Sequence, residues 1–262
     1  MNYKAIFLDI DGTLVSFRTH VIPRSTIEAL KAVRKKGVKV YVATGRPKLL
    51  IDNLGDLEYD GLVTTTGAHC LDAKDHTISL RPIAREDVAL LVRHHESSPD
   101  EAFPMIFVSE DELFVTHVTP ELESLSQLLH FKIPPILPAA HALEKSILQL
   151  IAFFPPQKEK YYMQTLLPGC VAMRWHETFA DIITQGVSKS YGIDQILKHE
   201  HLNLEETIAF GDGGNDIDML RHVGFGIAMG NASEEVKAAA RWVTRSVDED
   251  GVEYALKTIG IL

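Results

Sequence analysis

Apolar residues along this chain cluster in short runs broken by polar turns. Residues 3–8 are almost wholly apolar, the pattern of a strand buried on both faces of a parallel sheet, and the run stops at Asp9-Ile10-Asp11-Gly12-Thr13. Ser25-Thr26-Ile27-Glu28 then has capping-box spacing, and Ile27, Leu30 and Val33 recur at helical intervals until Gly37. Residues 38–43 predict a second strand, and Thr44-Gly45-Arg46-Pro47 a loop leading into another helix. The last third repeats the rhythm, with helix expected at 188–199, strand at 207–210, a polar loop at 211–216, helix at 217–222 and strand at 225–229. A final helix is expected at 231–240, where Asn231 and Glu234 have capping spacing. Strands and helices alternating at these lengths make βαβ units and a parallel sheet. The loops after its strands share one edge, where ligands sit in open α/β folds.

Between residues 82 and 185 the rhythm changes. Helix is expected at 86–96, strands at 105–109 and 113–118, helix at 120–129 and strand at 148–153, followed by a helix and two strands ending near Thr184. Runs of strands without strict alternation indicate an α+β module inserted into the first domain. Pro82 and Gln185-Gly186 are the expected hinges, dividing the chain into 1–81 plus 186–262 and an inserted 82–185.

Composition narrows the class. Of 262 residues, 45% are hydrophobic and 24% charged, which fits a soluble globular chain with a true core. The longest apolar run is far below the ~20 residues that cross a bilayer, and Asp9 interrupts any signal-type segment, so a cytoplasmic protein is expected. Cys70 and Cys170 alone make no disulfide framework. With 26 Lys and Arg against 36 Asp and Glu the net charge is −10, which disfavours nucleic acid but leaves room for one small phosphorylated ligand.

Candidate chemistry gathers in the loops. Asp9 and Asp11 flank one residue, so if the strand continued that far its two-residue period would put both carboxylates on one side. An isolated Asp-x-Asp before glycine is more simply read as a turn or a helix cap. Gly211-Asp212-Gly213-Gly214-Asn215-Asp216 is a second such cluster, with the same plain reading as a helix-capping loop. Two acidic clusters on one sheet edge are different, because close carboxylates repel unless a cation joins them, and oxygen ligands suit Mg2+. Lys189 begins a helix, where the dipole disfavours a cation; an anionic neighbour would account for it, while a lysine taken in isolation is more simply read as solvated. Thr44 offers a hydroxyl and neighbouring backbone N–H groups to a phosphate, or is merely a strand-end threonine.

Taken in order, Asp9-Ile10-Asp11-Gly12-Thr13-Leu14, Ala43-Thr44-Gly45-Arg46-Pro47, Val187-Ser188-Lys189 and Gly211-Asp212-Gly213-Gly214-Asn215-Asp216 with Met219-Leu220 resemble the four motifs of the haloacid dehalogenase superfamily. Ala228-Met229-Gly230-Asn231-Ala232, Val236-Lys237 and Asp250-Gly251-Val252 are similar to its Cof-type, subclass IIB sugar-phosphate phosphatases. The resemblance implies a Rossmann-like parallel-sheet core with an inserted α+β cap of the C2B type. It also implies a Mg2+-dependent phosphatase of small phosphomonoesters, hexose or pentose phosphates foremost. Asp9 would be the nucleophile and Asp11 the general acid/base. Thr44, Gly45, Lys189 and Asn215 would bind the phosphoryl group, and Mg2+ would be held by Asp9, the main-chain carbonyl of Asp11, and Asp212. Asp216 would orient Lys189 or a metal-bound water. Arg46 would reach substrate or form a structural ion pair. The chain departs from the family at Thr66, where Asn is frequent, and at Ser190, where Gly is.

Other signals carry less. Gly224-Phe225-Gly226 and Gly230 do not follow a first strand as a dinucleotide loop would. Neighbouring side chains in His94-His95 and His199-Glu200-His201 do not share a helix face, and Trp175-His176-Glu177 reads as a core tryptophan beside a turn. Two rival functions stay open: a phosphomutase of the phosphomannomutase type, and a phosphosugar-binding protein without turnover.

Overall fold

The computed structural model describes residues 3–98, 101–129, 131–174 and 177–262, so Trp175 and His176 lie outside the described residues. In chain order the elements are β1 (Ala5–Leu8), α1 (Arg24–Lys35), β2 (Lys39–Ala43), β3 (Gly61–Thr64), β4 (His69–Asp72), β5 (Thr77–Leu80) and α2 (Arg85–Ser97). Then come β6 (Met105–Ser109), β7 (Leu113–Val115), α3 (Pro120–Leu129), β8 (Ile147–Ala152), α4 (Pro156–Thr165), β9 (Cys170–Met173) and β10 (Ala180–Thr184). The chain ends with α5 (Lys189–Glu200), β11 (Thr207–Gly211), α6 (Ile217–His222), β12 (Phe225–Ala228), α7 (Glu234–Ala239), β13 (Trp242–Val243) and α8 (Gly251–Thr258). None of the described helices is long and apolar enough to cross a membrane.

These elements form two compact units, one of Met1–Pro47, Ile51–Leu80 and Val187–Leu262, the other of Lys48–Leu50 and Arg81–Gly186. The first is built on an eight-stranded sheet in the order β13-β12-β11-β1-β2-β3-β4-β5. Pairing is parallel from β13 to β3 and antiparallel for β3–β4 and β4–β5. Side chains alternate across it. Ile6, Leu8, Val40, Val42, Ile208 and Phe210 belong to one apolar layer with residues of α1 and α8, while Ala5, Phe7, Tyr41, Ala43 and Ala209 pack with α5, α6 and α7 on the other. The chain runs outward from β1 to β2 and β3 on one side and from β11 to β12 and β13 on the other. The β1–β11 junction is therefore the point where strand order reverses, and open α/β sheets bind their ligands beyond the carboxyl ends of the strands at such a point.

The second unit holds a five-stranded antiparallel sheet in the order β7-β6-β8-β10-β9. Residues of α2 and α4 cover one face and residues of α3 pack on the other, an α+β arrangement.

Four local expectations need correction. No helix follows Pro47: only a single 3-10 turn forms at Lys48–Leu50, and Asn53 and Gly55 lie too close behind to let a helix propagate. Ser25 caps nothing, because α1 starts at Arg24 after Pro23 and the Ser25 hydroxyl donates to Asp250. Asn231 does not cap α7, a role taken by Ser233. Finally β1 ends at Leu8, so strand alternation does not carry on to Asp11.

Candidate active site

Asp9 is the first residue beyond β1, tied into the sheet by its N–H donating to Phe210 O at 3.1 Å. It is buried, and its Oδ1 accepts from Lys189 Nζ at 2.5 Å. Lys189 opens α5 and is fully buried, an expensive position for an ammonium at a helix N-terminus. Two carboxylates answer that cost: besides Asp9, Asp216 Oδ1 accepts from Nζ at 2.6 Å. Burial disfavours the Lys189 ammonium, but the charges of Asp216 and Asp9 and their hydrogen bonds outweigh it and raise its pKa above the ordinary lysine value.

Asp216 has no solvent exposure, and its oxygens divide their work. While Oδ1 meets Lys189, Oδ2 accepts from the N–H groups of Asp212 and Gly213, both at 2.9 Å, which folds the loop after β11 around this carboxylate. Asp212, thus placed, accepts from Thr13 Oγ1 at 2.8 Å and from Asn231 Nδ2 at 3.1 Å. Asp9, Asp212 and Asp216 each bring a carboxylate oxygen within 4.8 Å of the others. The negative charge is not fully balanced. Burial first, then the like charges of Asp216 and Asp212, push the Asp9 carboxyl well above the usual range despite Lys189. Burial, aided by Asp216, pushes Asp212 up to about 7.

Gly12 makes this proximity possible. Its φ is +89°, and a Cβ there would lie 2.1 Å from Asp212 Oδ2. Only a glycine backbone lets the loop after β1 lie against the loop after β11 in that conformation.

Across the sheet, Thr44 follows β2 and is buried, its hydroxyl oxygen accepting from Arg46 N at 3.0 Å. Arg46 turns back onto Asp11, with Nε donating to Oδ2 and Nη2 to Oδ1, both at 2.7 Å, a two-pronged guanidinium–carboxylate fork. Arg46 is thus engaged with Asp11, the ion-pair alternative among its two expected roles. Asn215 lies near this turn: a Cβ on Gly45 would be 3.3 Å from its Nδ2. The structure therefore gathers buried Asp9, Lys189 and Asp216 and half-buried Asp212 into one network, places Asn215 beside Gly45, and holds Asp11 in the fork with Arg46.

Two members of the site went unforeseen. Asn231 bridges three segments, donating to Gly12 O and Asp212 while its Oδ1 accepts from Val247 N, and Thr13 supplies the hydroxyl on Asp212. The sequence did carry a signal for Asn231, its place within Ala228-Met229-Gly230-Asn231-Ala232 directly after a strand of the same sheet edge.

Comparison with known proteins adds a lineage to this geometry. A family model described as haloacid dehalogenase-like hydrolase matches residues 6–256. Over the whole of both chains the sequence is 32% identical to YkrA of Bacillus subtilis (strain 168), which bears a provisional phosphatase name. Among solved structures it is similar to BT4131, described as a HAD subclass IIB sugar phosphatase, at 43% identity over 99% of this chain and 100% of that one, with a TM-score of 0.88. BT1666 from Bacteroides thetaiotaomicron, described among phosphatases of the same superfamily, is 36% identical over 99% of this chain and 96% of its own, with a TM-score of 0.89.

Proposed function

The chain belongs to the haloacid dehalogenase-like hydrolases and is a phosphatase of that family, and from this premise we propose that it hydrolyses small phosphomonoesters, hexose and pentose phosphates foremost, with Mg2+ and an aspartyl-phosphate on Asp9. The observation that carries the reading is the buried Lys189 shared by Asp9 and Asp216 at the point where strand order reverses. Lys189 holds the Asp9 carboxylate by one oxygen, and the ammonium offers a positive charge to an incoming phosphate.

In the first step an Asp9 oxygen attacks phosphorus, the ester P–O bond breaks, and the departing alkoxide takes a proton from Asp11. In the second, water attacks the same phosphorus and gives its proton to Asp11, and the bond to Asp9 breaks to release inorganic phosphate and restore the carboxylate. Both Asp11 oxygens accept from Arg46 in the resting arrangement, so this carboxylate must leave the fork and take up a proton from solvent before it can protonate the ester oxygen. Thr44 and the Gly45 N–H would hold the phosphoryl oxygens, with Asn215 beside them.

The residues present fit Mg2+. Asp9 and Asp212 are hard oxygen donors in a group of three close carboxylates, whereas Asp216 already spends its oxygens on Lys189 and two backbone N–H groups. Asp9, Asp212 and the main-chain carbonyl of Asp11 would hold the ion. When bound it would neutralise charge on the transferring phosphoryl oxygens.

The test is phosphate release from a panel of sugar phosphates, nucleotides and pyridoxal phosphate, with Mg2+ or with EDTA. Turnover that is lost in EDTA and falls about 10³-fold or more in Asp9→Asn is expected. An Asp9→Asn protein that keeps most of its rate would sink the mechanism. Dependence on a bisphosphorylated sugar, with transfer in place of release, would replace it by the mutase.

A further inference from the structure

Thr65, Thr66 and Gly67 have φ of 52°, 54° and 99°, three left-handed residues in succession. Left-handed backbone crowds Cβ against the following carbonyl, and β-branched residues tolerate it least, so two adjacent threonines in that region are true outliers. Such strain persists only where the surroundings over-determine it, and it concentrates at functional sites. Here the arc is pinned from both sides. Thr65 N donates to Arg46 O at 3.0 Å and Thr66 N to Thr44 O at 3.1 Å, while Gly67 approaches the Ser188 carbonyl so closely that a Cβ would lie 2.0 Å from it. The turn after β3 is thereby locked to the loop after β2 and to the residue that precedes Lys189.

None of those contacts uses the Thr66 side chain. Among the described residues its hydroxyl makes no hydrogen bond, although Thr66 is only 5% exposed. The point where a Gly45 Cβ would stand is 3.5 Å from Thr66 Oγ1 and 3.3 Å from Asn215 Nδ2. An oxygen atom near that point is within reach of both a hydroxyl and an amide, beside bare glycine backbone. If the turn alone were at stake, a residue at ease with positive φ would serve better than threonine. We propose that Thr66 is a substrate-binding residue whose hydroxyl donates a hydrogen bond to an oxygen of the transferring phosphoryl group, shared with Asn215. The proposal rests on the phosphatase reading of the site and adds a ligand to it.

Calorimetric binding of inorganic phosphate in Mg2+, together with KM and kcat for a hexose 6-phosphate, tests this on the wild-type chain, Thr66→Val and Thr66→Ser. Valine keeps the shape and the β-branch and removes the hydroxyl; serine keeps the hydroxyl. Thr66→Val is expected to weaken phosphate binding and raise KM together, by about fivefold to tenfold, while Thr66→Ser stays within about twofold of wild type. If Thr66→Val fails to fold, Thr66→Ala takes its place against Thr66→Ser. The proposal is overturned if the variant without the hydroxyl binds phosphate as the wild type does, or if Thr66→Ser loses as much as it. A wild-type chain that binds phosphate but hydrolyses no phosphomonoester refutes the phosphatase reading and leaves Thr66 to be judged by binding; one that does not bind phosphate refutes both.

Discussion

Replacing Lys189 with methionine removes a cation while keeping an unbranched side chain of similar length. Asp9 and Asp216, 6% and 0% exposed, would then share a buried space with no positive charge, and Asp212 would stand beside them. Removing one partner of a buried ion pair costs about 3–5 kcal/mol, because the remaining charge keeps its desolvation penalty. At roughly 2–4 °C per kcal/mol for a chain of this size, the melting temperature should fall by about 6–20 °C. The sign of the pH dependence follows from the same charges. Without Lys189 the Asp9 carboxyl, already raised by burial, is pushed further above its unfolded value, so the folded variant binds a proton that the unfolded chain does not. Its deficit should therefore shrink as pH is lowered from about 8 to about 5. Adding Asp216→Asn should recover part of the loss, since one uncompensated charge is gone, and the double-mutant cycle should show strong coupling. Urea unfolding in EDTA at both pH values reads all three quantities. A Lys189→Met protein within about 1 kcal/mol of wild type at pH 8, or one equally impaired at both pH values, would refute the view that this lysine neutralises buried charge.

Gly12→Ala should cost at least about 2 kcal/mol and most of the activity, because an alanine at φ +89° is strained and its methyl would displace an Asp212 carboxylate held by Thr13 and Asn231; an active variant of normal stability would contradict the close approach. In the second unit, His95 has a buried Nε2 without a hydrogen-bond partner among the described residues, and burial, with the charges of His94 and His117, pushes its pKa down to about 4. It is neutral in both states at high pH, and destabilises the fold as pH drops from about 6.5 to about 4, where the unfolded chain takes up the proton and the folded one does not. The ceiling is about 3 kcal/mol, and partial exposure should halve it or more. Urea unfolding of His95→Gln between pH 7 and pH 4 should show a shallower decline than wild type, and parallel curves would exclude the effect.

Periodicity made the alternation of strands and helices readable, because burial on two faces writes itself into all of β1 and β11 and all of β2 but Lys39. Partners far along the chain were not readable. Ser25 and Glu28 have the spacing of a cap, yet the Ser25 hydroxyl goes to Asp250; Asn231 and Glu234 have it too, yet Asn231 spans Gly12, Asp212 and Val247. A short polar side chain takes the nearest good partner in space, and local spacing reports only the partners that the chain itself brings round. The β3–β4–β5 meander escaped for a related reason: strands of four residues with a left-handed turn between them leave no long periodic window, and the threonines of that turn are residues that turn statistics argue against. The site's residue types were legible because the chemistry demands carboxylates, a cation and hydroxyls at one sheet edge. Among the acid–base pairs, Asp216 with Lys189 was one of two expected arrangements, whereas Asp9 with Lys189 was not read from the chain.

That pairing has a mechanical consequence. Asp216 fastens the loop after β11 to Lys189, and Lys189 in turn holds Asp9, so these groups form one hydrogen-bonded body whose parts cannot shift singly without exposing a buried charge. Asp11 stands outside that body, held by Arg46 from a loop that the strained turn at Thr65 and Thr66 fixes in place. On the proposed mechanism the nucleophile has to stay where it is, whereas the acid/base has to leave its fork to meet the departing oxygen and then the water that takes its place. The two carboxylates differ in just this respect: Asp9 is locked by a buried cation, whereas the fork on Asp11 is partly open to solvent, where an ion pair is worth less and parts more readily. Motion is thereby assigned to the residue whose role requires it.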